Sequence, residues 1–393
     1  MERVTVEKLV YGGMGLSRTD GRVLMTPFVL PGETAHVEPV DKLHARLVRV
    51  EDPSPRRTEP GCPYFGTCGG CHYQHAPYEY QLEQKVAILR ETLRRVGGVQ
   101  APEHIEVIAG PEWHYRNRVQ LHFQNGNVGY LIAGSHQLCP ISHCPISSPR
   151  INEAIASLAR MAKDRRFPEF VESIELFTNE HHLQLNVASS HKPVAKRFFE
   201  WCADEIPGYA EGPVQYPTGQ AIFRVSPRSF FQVNRFLVDK LMDAAVGNTS
   251  GTEALDLYAG VGLFSIALAK RFRSVAGVES SSSAVTDYRG NAERAKVSAA
   301  AVMSPVDQYL EHVQSTPDLI LADPPRAGLG KVATRHLVRL KPPRLHIVAC
   351  DPATLARDLT ELIGTGGYKI ERMILVDLFP QTYHLETIVH LTV

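Results

Sequence analysis

The chain has 393 residues, a length that corresponds to two or three ordinary domains. Its 42 Lys and Arg residues balance 42 Asp and Glu residues, so the formal net charge is zero; this excludes a histone-like polycation and argues neither for nor against nucleic acid. A hydrophobic fraction of 44% excludes a disordered chain, no stretch approaches the roughly 20 apolar residues of a membrane helix, and the N-terminus lacks a signal core. We therefore expect a cytoplasmic protein without a membrane partner.

Residues 1–52 are predicted to form a small β-domain. Apolar residues alternate in short segments, which glycines and a Pro31-Gly32 turn separate. Strands at this spacing favour a small β-barrel, although any small β-module would show the same periodicity. The predicted strands are Val4–Leu9, Arg22–Val29, Ala35–Val40 and Leu43–Val50.

The cysteines are unevenly distributed. They stand at positions 62, 68, 71, 139, 144, 202 and 350. Their number is odd and the first three fall within ten residues, which in a reducing compartment favours a metal or catalytic role over disulfides. Gly66, Gly69 and Gly70 make the loop CPYFGTCGGC compact enough for its three thiolates to converge. Spacing alone leaves zinc and an iron–sulfur cluster open.

Residues 53–225 are predicted to form a central α+β domain. A proline-rich linker opens it, and the cysteine loop follows. A helix over Tyr78–Arg95 ends at Gly97-Gly98 and carries an apolar stripe. The stripe consists of Leu82, Val86, Leu89 and Leu93, and the later predicted elements are strands Val119–Phe123, Ile174–Thr178 and Leu183–Ala188 with helices Ile151–Ala162 and Pro193–Ala203.

Residues 226–393 alternate between strand and helix patterns, which predicts βαβ units in a parallel, doubly wound sheet. Two consecutive strands at the C-terminus suggest an antiparallel strand at the end of this sheet. The predicted strands are Ala254–Tyr258, Val275–Glu279, Leu319–Asp323, Leu345–Cys350, Lys369–Leu378 and Leu385–Val393, and the predicted helices are Phe264–Arg271, Ser282–Ala295, Val332–Leu340 and Ala353–Ile363.

A nucleotide-type site is predicted at the carboxyl edge of this sheet. Gly260 and Gly262 allow a sharp turn after the first strand, while Glu279 and Asp323 each end a neighbouring strand. The turn alone could be structural, but the turn combined with two acidic residues favours an adenosine ligand. The third glycine of a dinucleotide fingerprint is missing, so S-adenosylmethionine fits better than NAD.

Cys350 is the candidate nucleophile. It ends a strand, and a helix opens at Pro352 just after it, a position that predicts a lowered thiol pKa. A buried inert cysteine is the alternative. Glu386 on the last strand can face the same crevice. One reaction needs this pair: a thiolate adds to uracil C6 so that C5 can attack a methyl sulfonium, and a carboxylate then removes the C5 proton. Arg326 in DPPR replaces the aromatic residue typical of amino-methyltransferases.

Several ordered motifs resemble those of the RNA (uracil-5-)-methyltransferases, the enzymes that form 5-methyluridine in tRNA and 23S rRNA. The resemblance covers essentially the whole chain. Residues 8–33 resemble a TRAM domain, an OB-like barrel that binds RNA. The other motifs are CPYFGTCGGC with the later CPI (144–146), FFQVN (230–234), DLYAGVGLFS (256–265), DPPRAG (323–328), CDPATLARDL (350–359) and LFPQTYHLE (378–386).

The resemblance implies a Rossmann-like methyltransferase domain behind a TRAM domain and a central iron–sulfur domain. It implies Cys350 as the nucleophile and Glu386 as the base that takes the C5 proton. Gln232, Tyr258, Glu279 and Asp323 would surround S-adenosylmethionine and the target base. A 4Fe–4S cluster would be bound by Cys62, Cys68, Cys71 and Cys144, with Cys139 as the competitor of Cys144.

The chain departs from the family pattern around the nucleophile. Ile347, Ala349 and Asp351 stand where the family has Tyr, Ser and Asn, and Leu263 replaces a polar residue found in some members. The Asp351 charge would oppose a lowered thiol pKa. These departures motivate a rival interpretation, an RNA-binding iron–sulfur protein that has lost catalysis.

Structured RNA is the expected partner, and a monomer is the expected state. Having both barrel and cluster favours 23S rRNA over the tRNA T-loop. The segment 113–118, in which Trp113 and Tyr115 are interleaved with Arg116 and Arg118, is the best candidate for stacking on RNA bases. The other basic candidates are Arg56-Arg57, Arg94-Arg95, Lys196-Arg197 and residues 270–273.

Overall fold

The N-terminal residues form one five-stranded antiparallel sheet. In this computed structural model, which describes residues 1–393, the strand order is β3-β2-β1-β4-β5. The sheet curls until Met25 on β3 donates its N–H to the carbonyl of Leu43, 2.7 Å away, just before β5. A small β-domain at the N-terminus is therefore confirmed, and it is one curled sheet with the form of a half-barrel. The strands are β1 (Glu2–Val10), β2 (Met14–Thr19), β3 (Arg22–Pro27), β4 (Thr34–Pro39) and β5 (Ala45–Asp52).

The central region contains a long helix and a second five-stranded sheet of order β11-β10-β7-β8-β9. Its apolar face buries Leu121, Ile174 and Leu176 against α2. The elements are α1 (Tyr78–Gly97), β6 (Glu106–Ile108), β7 (Arg118–Gln124), β8 (Asn127–Leu131), β9 (Leu138–Pro140), α2 (Pro149–Met161), β10 (Val171–Thr178), β11 (Leu183–Ser190), α3 (Lys196–Glu205), β12 (Val214–Pro217) and β13 (Ile222–Val225).

The C-terminal residues form an eight-stranded sheet of order β16-β15-β14-β17-β18-β20-β19-β6. Five neighbouring strands are parallel, which confirms the predicted βαβ pattern. The elements are α4 (Val238–Val246), β14 (Gly251–Leu257), α5 (Leu263–Leu268), β15 (Phe272–Glu279), α6 (Ser282–Ala295), β16 (Ala299–Met303), α7 (Val306–His312), β17 (Leu319–Ala322), α8 (Gly330–Leu340), β18 (Arg344–Ala349), α9 (Pro352–Gly364), β19 (Lys369–Val376) and β20 (Thr387–Thr392).

The end of this sheet differs from the expectation. The antiparallel strand β20 lies between β18 and β19, and the edge position belongs to β6, which pairs in parallel with β19. Strand β6 was missed because it is three residues long. No helix has the length and apolar character that a bilayer crossing requires.

Helix α1 joins the central region to the eight-stranded sheet. Its C-terminal half packs on α9, and the approach is so close that a Cβ on Gly97 would stand 2.5 Å from the carbonyl oxygen of Ala356. Its N-terminal half buries Gln81 and Lys85, whereas Leu82 and Val86 of the predicted apolar stripe are only half-buried. This half of the helix therefore presents polar side chains to the interior.

Candidate active site

The glycine turn after β14 has the geometry of a ligand-binding turn. Gly260 and Gly262 have φ values of 55° and 88°, and a Cβ on Gly262 would stand 2.5 Å from the Tyr288 ring. Glu279 ends the neighbouring strand β15, and its carboxylate accepts the Gly260 N–H at 2.9 Å. The turn and the strand-end carboxylate are thus one assembly, as expected from their positions in the sequence.

A small cavity opens beside this turn. It measures about 220 Å³ and is lined by Tyr258, Glu279 and Asp307 among others. Asp307 lies in the first turn of α7, a helix that sequence analysis missed together with the preceding alanine-rich β16. Its carboxylate adds a second acceptor to the cavity that Glu279 lines, which suits a ligand with hydroxyl or amino donors. The only sequence signal for this helix was a proline, Pro305, two residues before an aspartate, Asp307.

Two aspartates lie deeper in the same edge of the sheet. Burial raises the pKa of Asp256 to about 7, and the Ser265 hydroxyl donates to its carboxylate. Burial, followed by the charge of Asp256, raises the pKa of Asp323 to about 7. Asp323 follows β17 directly, so it faces the crevice at the carboxyl ends of the strands.

Cys350 lies between β18 and α9, as predicted, but its thiol is not activated in the way expected. Burial, followed by the charges of Glu386 and Asp323, raises the pKa of Cys350 to about 12. The prediction that a helix N-terminus lowers this pKa is therefore wrong. Asp351 is the N-cap of α9, and one of its carboxylate oxygens accepts the N–H groups of Ala353 and Thr354, both at 2.9 Å. Asp351 therefore has a structural role at the helix end, which accounts for an aspartate beside Cys350.

Glu386 and Arg326 complete this group. Glu386 is only 6% exposed, and burial, followed by the charge of Asp323, raises its pKa well above that of an ordinary glutamate. The Arg326 guanidinium favours the ionised forms of both Glu386 and Cys350. The structure thus brings Cys350, Glu386, Asp323 and Arg326 together at one crevice.

Gln232 lies in the segment between β13 and α4. It is 8% exposed, and its side-chain amide makes no hydrogen bond within the chain. Two residues on, the Asn234 amide donates to the carbonyl of Leu378 at 3.1 Å, which fixes this segment to the loop that carries Glu386. The neighbouring Phe230 is 61% exposed, an unusual environment for a large apolar ring.

The N-terminal sheet also reaches the crevice. Tyr11, in the turn between β1 and β2, donates its hydroxyl to the carbonyl of Cys350 at 3.4 Å. Its ring meets that of Tyr383 edge-on with 5.4 Å between centroids. This contact could not be predicted from the sequence, because no local pattern reveals which residue of a turn touches a distant part of the chain.

Four cysteines line a second cavity, of about 310 Å³. They are Cys62, Cys68, Cys71 and Cys144, whereas Cys139 and Cys202 are buried in the core of the central sheet. The wall is completed by Thr382, Tyr383 and His384, so the cavity borders the loop that leads to Glu386. No three His, Cys, Asp or Glu side chains are grouped tightly enough to hold a single metal ion. Burial raises the pKa of Cys68 to about 11 and that of Cys62 in the same direction.

The segment 113–118 does not form the stacking surface that its sequence suggested. Tyr115 is fully buried and donates its hydroxyl to the carbonyl of Pro380 at 3.0 Å. Arg118 is buried, pairs with Glu175 at 2.7 Å and lies over the Phe177 ring. These residues hold the interior together, so the interpretation as an RNA contact is wrong for them.

Comparison with known proteins agrees with this geometry. The family model described as tRNA (uracil-5-)-methyltransferase matches residues 210–305 and 307–393. An RNA methyltransferase of Aquifex aeolicus is 31% identical over 100% of this chain and 98% of its own length. The 23S rRNA (uracil(1939)-C(5))-methyltransferase RlmD of Shewanella putrefaciens is 30% identical over 98% of this chain and 94% of its own.

A solved structure shares the whole fold. The tRNA (uracil-54, C5)-methyltransferase of Pyrococcus abyssi, crystallised with S-adenosyl-L-homocysteine, superposes with a TM-score of 0.77 and 25% identity, and the match covers 100% of both chains. The eight-stranded domain therefore has the fold of S-adenosylmethionine-dependent methyltransferases. Together with the full-length relatives, this shows that the chain belongs to the RNA (uracil-5-)-methyltransferase family.

Proposed function

We propose that this chain methylates C5 of a uracil in structured RNA, most simply in 23S rRNA, with S-adenosylmethionine as the methyl donor. The observation that carries the proposal is the juxtaposition of Cys350 and Glu386: the adjacent residues Ala349 and Thr387 are register partners on β18 and β20, and Asp323 follows the neighbouring strand β17. A nucleophile, carboxylates and a donor turn at one edge are the parts that C5 methylation needs.

The reaction proceeds by addition, methyl transfer and elimination. The Cys350 sulfur bonds to C6 while its proton passes to Asp323, whose pKa of about 7 suits it to accept at neutral pH. The C5–C6 electron pair becomes an enolate. C5 then bonds to the methyl carbon of S-adenosylmethionine while the methyl–sulfur bond breaks, and S-adenosylhomocysteine leaves. Glu386 then removes the C5 proton, the C5–C6 double bond re-forms and the sulfur–C6 bond breaks. The raised pKa of Glu386 makes its carboxylate a stronger base for this step.

Arg326 has a specific role in this scheme. The resting thiol is protonated, because its pKa of about 12 lies far above neutral pH. The exposed guanidinium stabilises the thiolate as it forms. The same charge stands where an aromatic residue would otherwise stack a base, which fits chemistry on a ring carbon.

The residues around the glycine turn fit the methyl donor. Glu279 is suited to accept from the ribose hydroxyls, and Asp307 is suited to accept from the amino group of adenine. Gln232 brings an amide without an internal partner, and Gly260 and Gly262 allow close approach of the backbone. Tyr258, which lines the same cavity, would contact the adenosine.

The cysteine cavity fits a 4Fe–4S cluster on Cys62, Cys68, Cys71 and Cys144. Zinc needs four sulfurs around one point, and no three side chains here converge in that way. A cubane places each thiolate on a different iron, so its ligands stand around a volume, and these four cysteines are among the residues that line one cavity. When bound, the cluster would supply a rigid cross-link between the cysteine loop and Cys144.

Two RNA classes compete as the substrate. RlmD, a relative at 30% identity, acts on 23S rRNA, and the structural relative at 25% identity acts on tRNA. The closer identity and the cysteine cavity favour 23S rRNA. The TRAM-like N-terminal sheet, which touches the crevice through Tyr11, would bind the RNA around the target uridine.

Transcripts of 23S rRNA and of tRNA test the proposal directly. Incubation with S-adenosylmethionine should yield 5-methyluridine in the 23S rRNA transcript, and the C350A variant should yield none. A transcript that contains 5-fluorouridine should form a donor-dependent covalent complex, since the fluorine cannot leave as a proton. Methylation of the tRNA transcript alone would show that tRNA, and not 23S rRNA, is the substrate. Absence of both product and complex with either RNA would overturn the proposal and favour the rival interpretation of a protein that has lost catalysis.

A further inference from the structure

The loop that joins β19 to β20 spans residues 377–386, and we call it the catalytic loop because Glu386 is its last residue. At its start the backbone is paired, since Val376 donates its N–H to the carbonyl of Glu386 at 2.8 Å. Asp377 donates its N–H to the carbonyl of Ile108 on β6 at 2.8 Å, and beyond Asp377 the loop has no strand partner. Its conformation must therefore be fixed by contacts with the rest of the chain.

Gln381, at the tip of this loop, makes several of those contacts, through both its backbone and its side chain. It is 1% exposed and has a φ of +66°, a left-handed conformation that is strained for a non-glycine residue. Its carbonyl accepts the N–H groups of His72 and Tyr73 at 2.8 and 3.1 Å. These two residues follow Cys71, so the tip is bonded to the cysteine loop.

The side chain of Gln381 is also hydrogen-bonded within the protein. Its amide oxygen accepts from Gln81 Nε2 at 2.9 Å, and its backbone N–H donates to Gln81 Oε1 at 3.1 Å. Its amide nitrogen donates to Glu112 at 2.6 Å. Gln81 and Gln381 thus form a doubly bonded pair inside the protein, in which the Gln81 amide donates to the Gln381 side chain and accepts from the Gln381 backbone N–H.

Helix α1 supplies this pairing from one face. Tyr78, Gln81 and Lys85 are spaced at i, i+3 and i+7, so they project on the same side. Tyr78 and Lys85 bind the Asp377 carboxylate at 2.9 and 2.6 Å, at the other end of the loop's first half. The polar stripe that α1 buries therefore has one purpose in the fold, which is to hold the catalytic loop.

We propose that Gln381, through its pair with Gln81, is a positioning residue that holds Glu386 at the C5 proton and links the cysteine loop to catalysis. This inference rests on the proposed function. The tip accepts two N–H groups from the cysteine loop and the base ends the same loop, so a displacement of the tip is transmitted to the base. Gln381 lies five positions before Glu386 and is buried, so it acts on the reaction through the loop.

The inference predicts which step fails when the pair is broken. Methyl transfer depends on Cys350 and the donor site, which lie on other elements. Proton removal by Glu386 comes afterwards and releases the sulfur from C6. A displaced base should therefore leave the methylated RNA bound covalently to Cys350.

Two single variants test this inference, one on helix α1 and one on the catalytic loop. Gln81→Ala removes both bonds of the pair without touching the loop, and Gln381→Gly removes the side chain while relieving the left-handed backbone. Gln184→Ala is the matched control, because Gln184 is 2% exposed and its amide likewise donates to two carbonyls, in the central sheet. The RNA is whichever transcript, 23S rRNA or tRNA, the wild type methylates.

Both pair variants should lower kcat about tenfold to a hundredfold with KM nearly unchanged, as expected for a misplaced catalytic group. Covalent protein–RNA complex should accumulate, while single-turnover methyl transfer stays within about threefold of wild type. Hydrogen exchange at the His72 and Tyr73 amides should quicken, and the double variant should be no worse than the poorer single variant. Q184A should change none of these.

Three outcomes would overturn the inference. Wild-type turnover in Q81A would show that the pair has no role. Equal loss of methyl transfer and turnover, without trapped complex, would show general destabilisation. A wild type that methylates neither transcript would overturn the proposed function itself, and the role of the pair in catalysis with it.

Discussion

Lys85 and Asp377 form an ion pair closed to solvent: their Nζ and Oδ1 atoms are 2.6 Å apart, and the side chains are 0% and 1% exposed. The Lys85 ammonium also donates to the carbonyl of Phe379 at 3.0 Å, and the Tyr78 hydroxyl donates to the same carboxylate. Burial lowers the pKa of Lys85, and Asp377 opposes that shift. One pair thus fixes the first half of the catalytic loop to α1.

Removing one partner of this pair should destabilise the protein strongly. Lys85→Met leaves the Asp377 carboxylate buried with a single donor, and such losses cost about 3–5 kcal/mol. The denaturation midpoint in urea and the Tm should both fall. Lys8→Met is the control, since the Lys8–Glu91 pair is about 30% exposed and should be worth less than about 1 kcal/mol. The double variant K85M/D377L should recover most of the stability, and a K85M variant as stable as K8M would contradict the prediction.

The β-strands and the order of elements in the C-terminal domain could be predicted because buried parallel strands such as β17 (LILA) are continuous apolar runs. The glycine turn, Cys350 and Glu386 could also be predicted, because each stands at the end of a strand that the apolar pattern reveals. Short or alanine-rich elements such as β6 and β16 have too little pattern to be recognised.

The remaining features depend on tertiary contacts. The polar stripe of α1 looks like a solvated face in the sequence, and only its contact with the catalytic loop makes it interior. Tyr115 likewise looks like an exposed stacking residue in the sequence, and only the folded structure shows that it is buried. The pKa of Cys350 follows from Glu386 and Asp323, which are remote in sequence, and these outweigh the local helix end.

The stability of the protein should fall as the pH is lowered from 7 to 5, in part because of two stacked histidines. The rings of His346 and His390 are 3.7 Å apart and nearly parallel, and each ring donates to a carbonyl of α4. Burial is the largest cause that lowers the pKa of His346 to about 3 and that of His390 to about 4; Arg344 and Arg372 add to it, and Glu106 opposes it at His390.

The sign follows from proton uptake. Below pH 6.5 the unfolded chain binds protons at both histidines, whereas the folded protein does not until about pH 4, so acid favours unfolding. Each histidine should cost about 2 kcal/mol at pH 5. Urea unfolding at pH 7.5 and pH 5 measures the loss. The variant H346N/H390Q keeps one donor at each position and should lose less stability between the two pH values; an equal loss would show that the stacked pair does not contribute.

Glu279 should control affinity for the methyl donor. Glu279→Gln replaces a charged acceptor by a neutral one at the cavity beside Tyr258 and Asp307, and hydrogen bonds to a charged group are worth about 1.5–3 kcal/mol. The Kd for S-adenosylmethionine, measured by calorimetry without RNA, should rise about tenfold or more. Glu311→Gln is the control: Glu311 is exposed and lies on α7 one turn after Asp307, so its substitution should leave the Kd unchanged. An unaltered Kd in E279Q would remove Glu279 from the donor site.

The identity of the fourth cysteine can be decided by metal content. Anaerobically purified protein should be brown and hold about four irons per chain. Cys144→Ser should lose most of this iron, because Cys144 lines the cavity with Cys62, Cys68 and Cys71. Cys139→Ser is the matched control: Cys139 is 4% exposed, lies on β9 in the same domain and does not line the cavity, so its iron content should match wild type. Loss of iron in C139S with retention in C144S would show that Cys139, and not Cys144, is the fourth ligand. One zinc per chain without iron would show that the four cysteines form a structural zinc site and would contradict the proposed cluster.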